Sequence, residues 1–158
     1  MKLKDIIIIN KMLGKKVVHV EAPYLFKKPL IKHLEKYHSK CYCICPCNYP
    51  FVKSNYGMKK TLKEFNNYLK EFYLLLKSKG IDLQLHVHLS MFPKALSYDY
   101  KKKLIEDAYK FFKKDLGIIP KEIVFGWWAY DKESKRIAEN LGLKIIEKEL
   151  HVYDSWMK

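Results

Sequence analysis

Residues 81–89 read IDLQLHVHL, and this stretch decides the fold. Apolar side chains occupy every second position, which is the pattern of a β-strand. A helical pattern precedes the stretch, because apolar residues recur at spacings of three and four from Met58 to Leu76. A second helical pattern follows it and starts at Ser97, a suitable N-cap residue. A strand enclosed between two helices predicts a parallel α/β arrangement.

The rest of the chain continues this alternation of strands and helices. Further strands are predicted over residues 16–21, 41–47, 123–125 and 143–146, and further helices over residues 29–38 and 131–141. Residues 3–13 fit either a helix or a strand, and residues 48–57 are predicted to form a long functional loop. We therefore expect one α/β domain over residues 1–158. Its sheet is either a small or incomplete parallel β/α barrel or an open doubly wound sheet.

The chain of 158 residues is strongly basic, with 31 Lys and Arg against 17 Asp and Glu and a formal net charge of +14. Arg136 is its only arginine, whereas proteins that read nucleic acids rely on arginine for bidentate contacts. A solvated lysine surface is therefore favoured, and a basic nucleic-acid-binding domain is kept as a third functional hypothesis. Lysine enrichment is also typical of thermophile proteins.

No segment of the sequence is apolar enough to suggest a membrane protein. The longest aliphatic run, Ile6 to Ile9, is far shorter than the ~20 residues of a membrane-spanning helix. The apolar stretch of a signal peptide is not visible either. We therefore expect a cytoplasmic protein without a membrane partner, and whether it forms a homo-oligomer stays open.

Two histidines, His86 and His88, lie near the carboxyl end of the strand over residues 81–89. Residues i and i+2 of a strand project from the same face, so two imidazoles at this spacing can bind one metal ion. Ligands of parallel α/β folds bind at this end of the sheet. The pair predicts a divalent metal site, with Zn favoured and a further ligand from another strand. The alternative is a pair of hydrogen-bonded structural histidines.

Other candidate catalytic residues lie at the two ends of the chain. His19 and Glu21, which end the first predicted strand, are candidates for the further metal ligand, and Glu21 is also a candidate general base. His151 and Asp154 are a candidate general acid and its orienting carboxylate. Each of these residues can instead be structural or lie on the surface.

Three aromatic residues, Trp127, Trp128 and Tyr130, follow the strand over residues 123–125 and are candidates for substrate binding. Their faces can stack on a sugar ring or on a base. Successive residues of a strand point to opposite faces. At most one of the two tryptophans is therefore expected to line a pocket, and the other is expected in the core.

Four cysteines, Cys41, Cys43, Cys45 and Cys47, alternate along a predicted strand, which would place all of them on one face. Their spacing matches neither the Cys-x₂₋₄-Cys pairs of structural zinc sites nor iron–sulfur motifs. We interpret them as small buried apolar side chains, with a thiolate metal site or a redox role as the alternative.

The order of these elements resembles the polysaccharide deacetylase (NodB-homology) family. The stretches that carry the resemblance are VVHVE at residues 17–21, LHVHL at 85–89, FGWWAYD at 125–131 and ENLGLK at 139–144. Proteins of that family are β/α barrels that use a divalent metal to remove acetyl groups from N-acetylated sugars. The resemblance implies a barrel of about five to seven strands and a small-molecule or carbohydrate substrate. It also implies metal-dependent hydrolysis of a C–N bond other than a peptide bond.

The chain departs from the family pattern at three points. Glu21 stands alone where the family has two adjacent aspartates, and His86 and His88 are closer together than the usual His-x₃-His pair. No arginine lies near Gly126, where the family has one that orients its catalytic aspartate. A catalytically degenerate binding module without turnover is therefore the second functional hypothesis.

Overall fold

The computed structural model describes residues 7–9, 17–20, 27–37 and 40–147. Its strands are β1 (Ile7–Ile9), β2 (Val17–Val20), β3 (Lys40–Ile44), β4 (Asp82–Val87), β5 (Glu122–Phe125) and β6 (Lys144–Ile145). Its helices are α1 (Lys27–Tyr37), α2 (Tyr49–Tyr56), α3 (Leu62–Ser78), α4 (Tyr98–Lys110) and α5 (Lys132–Asn140). The predicted α/β alternation is confirmed. None of the helices in these ranges is both long and apolar enough to cross a bilayer.

The six strands form one sheet in the order β1-β2-β3-β4-β5-β6. β1 runs antiparallel to β2, and every later pair is parallel. Each parallel strand lies beside the strand that precedes it in the chain, so all crossovers step in one direction. A doubly wound sheet reverses its strand order, so that alternative prediction is wrong, and the order is the one found in a β/α barrel.

A different cluster of buried side chains packs on each face of the sheet. The larger core cluster combines the buried side of α3 with alternate residues of β3 and β4, including Phe65, Phe72, Cys43 and Leu85. A smaller cluster on the other face contains Tyr42, Val124 and Ile146, against which Trp128 packs. His86 is in register with Val124 and therefore belongs to this less crowded face. His86 thus lies on the same face of the sheet as the smaller cluster.

The prediction of a long loop over residues 48–57 is wrong. A 3₁₀ turn at Pro46–Asn48 leads directly into α2, which ends at Gly57 with the left-handed φ of 61°. Val52 is the only fully buried residue of α2, so the helix has no periodic apolar stripe that the sequence could reveal. The helix brings Phe51 over the carboxyl end of the sheet.

Helix α3 begins with a capping box. The Thr61 hydroxyl accepts a hydrogen bond from the Glu64 backbone N–H, and the Glu64 carboxylate accepts one from the Thr61 N–H at 2.7 Å. We expect Thr61→Ala to lower the free energy of unfolding by about 1 kcal/mol, because one N–H of the first turn loses its partner. Urea denaturation measures this change. Thr61→Ser keeps the hydroxyl and should lose much less, so equal losses in both variants would contradict the capping role.

Candidate functional site

Two buried imidazoles meet where β4 ends. His86 lies in β4 and is 0% exposed, and His88, the first residue after the strand, is 3% exposed. Their Nε2 atoms are 2.9 Å apart. The strand alternation that predicts a shared face for i and i+2 thus brings the two rings into direct contact.

The hydrogen bonds of this pair determine which nitrogens carry protons. His86 Nδ1 lies 3.1 Å from the carbonyl oxygen of Val124 on β5. A carbonyl oxygen can only accept, so Nδ1 donates, and Nε2 of a neutral His86 is then an acceptor. His88 therefore donates from its own Nε2 to His86 Nε2. The lone pair of His86 Nε2 therefore faces His88 Nε2. The hydrogen bond to the Val124 carbonyl fixes the orientation of the His86 ring.

Asn48 holds the backbone of His88 in place. Its Nδ2 donates to the His88 carbonyl oxygen at 2.7 Å, and its Oδ1 accepts from the His88 N–H at 3.0 Å. The amide therefore satisfies both backbone groups just where β3 and β4 have stopped pairing. Asn48 is 4% exposed, and sequence reasoning missed it. The available signal was an asparagine directly after a strand and a proline turn.

The His88 ring is enclosed by aromatic groups and by the chain after β5. Phe51 stacks on it with ring centroids 3.6 Å apart, and the Trp127 ring meets it edge-on at 4.6 Å. Gly126 lies against the ring so closely that an added Cβ would be 1.9 Å from His88 Nδ1. Only glycine fits at this position.

The sequence suggested that the two tryptophans continue the strand, but the structure shows that they do not. Gly126–Trp128 forms a 3₁₀ turn in which Trp127 and Trp128 have φ values of 53° and 58°. This left-handed region costs roughly 1–2 kcal/mol for a residue with a side chain, and such strain is common at functional sites. The turn separates the two rings, so that Trp127 contacts His88 while Trp128 packs against the smaller cluster.

The remaining predicted site residues lie apart from the histidine pair or outside the described ranges. The Tyr130 hydroxyl donates to Glu147 at 2.7 Å, and its ring stacks on Phe125. His19 pairs with Tyr42 on β3, two strands away from β4. The residues outside the described ranges are Glu21, His151 and Asp154.

The histidine pair fits two ligands of a metal ion. The two Nε2 atoms face each other, so a metal bound between them would replace the proton that His88 Nε2 donates. Donation from His86 Nδ1 to a backbone carbonyl is usual for a metal-binding histidine. Two Zn–N bonds at a tetrahedral angle separate their nitrogens by about 3.3 Å, so binding would widen the present contact only slightly. Within the described ranges, no group of three or more His, Cys, Asp or Glu residues is placed to hold a metal. A third protein ligand of these types would have to come from outside these ranges.

The cysteines do not share one strand, because β3 ends at Ile44 and Cys47 lies in the following turn. All four are free thiols. Burial raises the pKa values of Cys43 and Cys45, and burial raises that of Cys47 to about 12. Their thiols are therefore protonated, which favours the interpretation of these cysteines as small apolar side chains, because reactive and metal-binding cysteines are thiolates.

Comparison with known proteins finds solved structures with a similar fold. No protein-family model matches the chain, and no curated protein matches its sequence. A CE4 family pseudoenzyme from Bacillus anthracis has a similar structure, with a TM-score of 0.60, 13% identity, and coverage of 83% of this chain and 41% of that chain. The Streptococcus pyogenes deacetylase PplD in complex with acetate is also similar, with a TM-score of 0.52, 13% identity, and coverage of 85% and 68%.

At this low sequence identity, the structural similarities show the fold alone. A mutant of the pseudoenzyme that has restored enzymatic activity matches with a TM-score of 0.53 and 14% identity over 74% of this chain and 37% of that one. The chain thus spans less than half the length of the pseudoenzyme. It has the α/β fold of CE4 deacetylases, and the resemblance to the polysaccharide deacetylase family is confirmed at that level.

Proposed function

We propose that the protein is a metal-dependent hydrolase that removes an acyl group from an N-acylated, sugar-like substrate. The convergence of His86 and His88 Nε2 at the carboxyl edge of the sheet carries the proposal. In the reaction, the oxygen of water bonds to the acyl carbon, the C–N bond breaks, and a proton passes to the leaving nitrogen. The products are a carboxylate and an amine.

In this proposal His86 and His88 hold the metal, and Glu21 or His19 supplies a further ligand. Val20 on β2 is in register with Cys43, which is in register with Leu85, the residue before His86. Glu21 follows Val20 in the sequence. When bound, a divalent metal would polarise the acyl carbonyl and lower the pKa of a water molecule.

Acid–base roles fall to residues at the two ends of the chain. Glu21, if it is not a ligand, accepts a proton from water. His151, oriented by Asp154, protonates the leaving amine. Trp127 presents an aromatic ring beside His88 for contact with the substrate.

Metal titration tests the histidine pair. We expect about one Zn²⁺ or Co²⁺ per chain in calorimetry. Loss of either ligand, in His86→Ala or His88→Ala, should weaken binding by more than the roughly 10–100-fold that an outer-shell partner contributes. Visible absorption of the Co²⁺ form reports the coordination independently of activity. His33→Ala, on α1, is the matched control and should bind as the wild type does. Stoichiometric metal in the double variant His86→Ala/His88→Ala would exclude this site.

A catalytically inactive binding module is the second candidate. One observation favours it: among the residues that the structure describes, none that lines the cavity beside His88 carries a carboxylate. In this case the protein binds its ligand without turnover, even when it is loaded with metal. Hydrolysis that disappears in Glu21→Ala would reject this candidate, whereas saturable binding without product formation would support it.

A further inference from the structure

A large cavity adjoins the histidine pair. Its volume is about 560 Å³, within the range that holds a drug-sized ligand. It opens between the turn after β3, helix α2, the loop after β4 and the start of α4. The lining residues are Cys47, Asn48, Pro50, Phe51, His88, Leu89, Ser90, Met91, Phe92, Leu96, Tyr100 and Trp127. None of these residues is an acidic residue, a lysine or an arginine, and His88 is charged only when it is protonated.

The few polar groups of this wall are largely engaged within the protein. Both ends of the Asn48 amide bond the backbone of His88. Ser90 Oγ accepts a hydrogen bond from the Phe92 N–H at 3.0 Å, and burial raises the pKa of Cys47 to about 12, which keeps its thiol neutral. With these groups engaged, the wall offers a sugar ring few side-chain partners for its hydroxyl groups.

The rim of the cavity is unusually apolar for a protein surface. Met91, Phe92 and Tyr100 are 55%, 72% and 48% exposed. They make up half of the six exposed large hydrophobic side chains in the described ranges. Exposed apolar side chains that cluster in this way mark binding sites, because a ligand that covers them removes them from water.

We propose that this cavity binds an aliphatic acyl chain longer than acetyl, so that the substrate carries a fatty N-acyl group. The acyl chain lies along Leu89 and Leu96 under the rim, with its carbonyl end toward His88. An acetyl group has a single methyl and would leave most of the cavity empty. The assignment of the bound chain as a substrate rests on the proposed hydrolase function, whereas the binding itself does not.

Calorimetry with a series of N-acylglucosamines tests this inference. The probes are N-acetyl-, N-butanoyl- and N-hexanoylglucosamine, added to the full chain without metal. The sugar is constant in this series, so only the chain length changes. We expect affinity to rise about fourfold for each added methylene, which is the usual effect of burying such a group. Equal affinities for the acetyl and hexanoyl compounds would overturn the inference.

Lysine substitutions locate the binding site. Phe92→Lys and Leu96→Lys introduce a charge at the rim and on the wall, and both should remove the dependence on chain length. Ile119→Lys is the matched control, because Ile119 is 66% exposed and does not line this cavity. Leu96 is partly buried, so Phe92→Lys keeps the test decisive if the other variant fails to fold. A chain-length dependence that survives Phe92→Lys places binding elsewhere and overturns the inference.

Repeating the series with Zn²⁺-loaded protein, while assaying release of glucosamine, separates this inference from the proposed function. Chain-length-dependent binding without release supports the acyl-chain site and rejects the hydrolase. Release from N-acetylglucosamine with no preference for longer chains supports the hydrolase and overturns the acyl-chain site.

Discussion

Gly126→Ala is expected to destroy the histidine site and to destabilise the fold. The added Cβ would lie 1.9 Å from Nδ1, 2.3 Å from Cε1 and 2.4 Å from Cγ of His88. The ring cannot move away freely, because Phe51 covers its face, Trp127 meets its edge and Asn48 holds its backbone. Overpacking of this kind costs about 1–3 kcal/mol in unfolding free energy. Urea denaturation measures that loss, and metal titration should show that binding is gone.

Two comparisons distinguish this steric clash from a general effect of removing glycine. Gly57 has a φ of 61° and nothing within 4 Å of an added Cβ, so Gly57→Ala should cost about 1–2 kcal/mol through backbone conformation alone. The Gly57→Ala variant should still bind the metal. In the double variant Gly126→Ala/His88→Ala the clashing ring is absent, so the second substitution should recover part of the lost stability. Additive losses in this pair would show that the ring is not the cause.

The sequence reveals local structure where one pattern dominates. The alternation over residues 81–89 predicts β4 and the shared face of His86 and His88, and the apolar stripe ahead of it predicts α3. Ser97 caps α4 as expected, and Asp131 caps α5. Each of these features depends on neighbours in sequence, so a single chain suffices to find them.

Other parts of the site depend on contacts that are distant in sequence. Phe51 reaches His88 from a helix with one buried residue, and Asn48 acts on a backbone 40 residues away. The left-handed turn at Trp127 and Trp128 is contrary to the local preference of tryptophan, so only tertiary packing can impose it. The order of the strands is likewise a non-local property, and the sequence left it open between a barrel and a doubly wound sheet.

Asp131→Asn should cause a large loss of stability, because it leaves a buried lysine poorly paired. Lys101 of α4 is 1% exposed, and its Nζ lies 2.7 Å from Asp131 Oδ2 and also contacts Glu133, which is half exposed. Removing one partner of a buried ion pair costs about 3–5 kcal/mol when the remaining charge is left unpaired, and the contact with Glu133 should keep the loss at the lower end of that range. Asparagine still serves as an N-cap of α5, so the loss would come from the charge. Urea denaturation at neutral pH measures it.

An exposed ion pair provides the control for this substitution. Lys103 and Asp107 are 2.6 Å apart on the surface of α4, with side chains 72% and 36% exposed. Asp107→Asn should cost little stability, because solvent screens such pairs. The double variant Lys101→Met/Asp131→Asn removes both buried charges and should be far milder than Asp131→Asn alone. A similar loss in all three variants would show that burial of Lys101 is not what matters.

The same ion pair should give the stability a characteristic acid dependence. Burial by itself would raise the pKa of Asp131, but hydrogen bonds from Lys101 and from Ser134 outweigh it and lower the pKa from 3.8 to about 2. A carboxyl group whose pKa is lower in the folded state stabilises fully above its unfolded pKa, and this contribution is lost as the pH falls. The stability difference between wild type and Asp131→Asn should therefore shrink by roughly 2 kcal/mol between pH 4 and pH 2. A constant difference over that range would mean that Asp131 is not held ionised by Lys101.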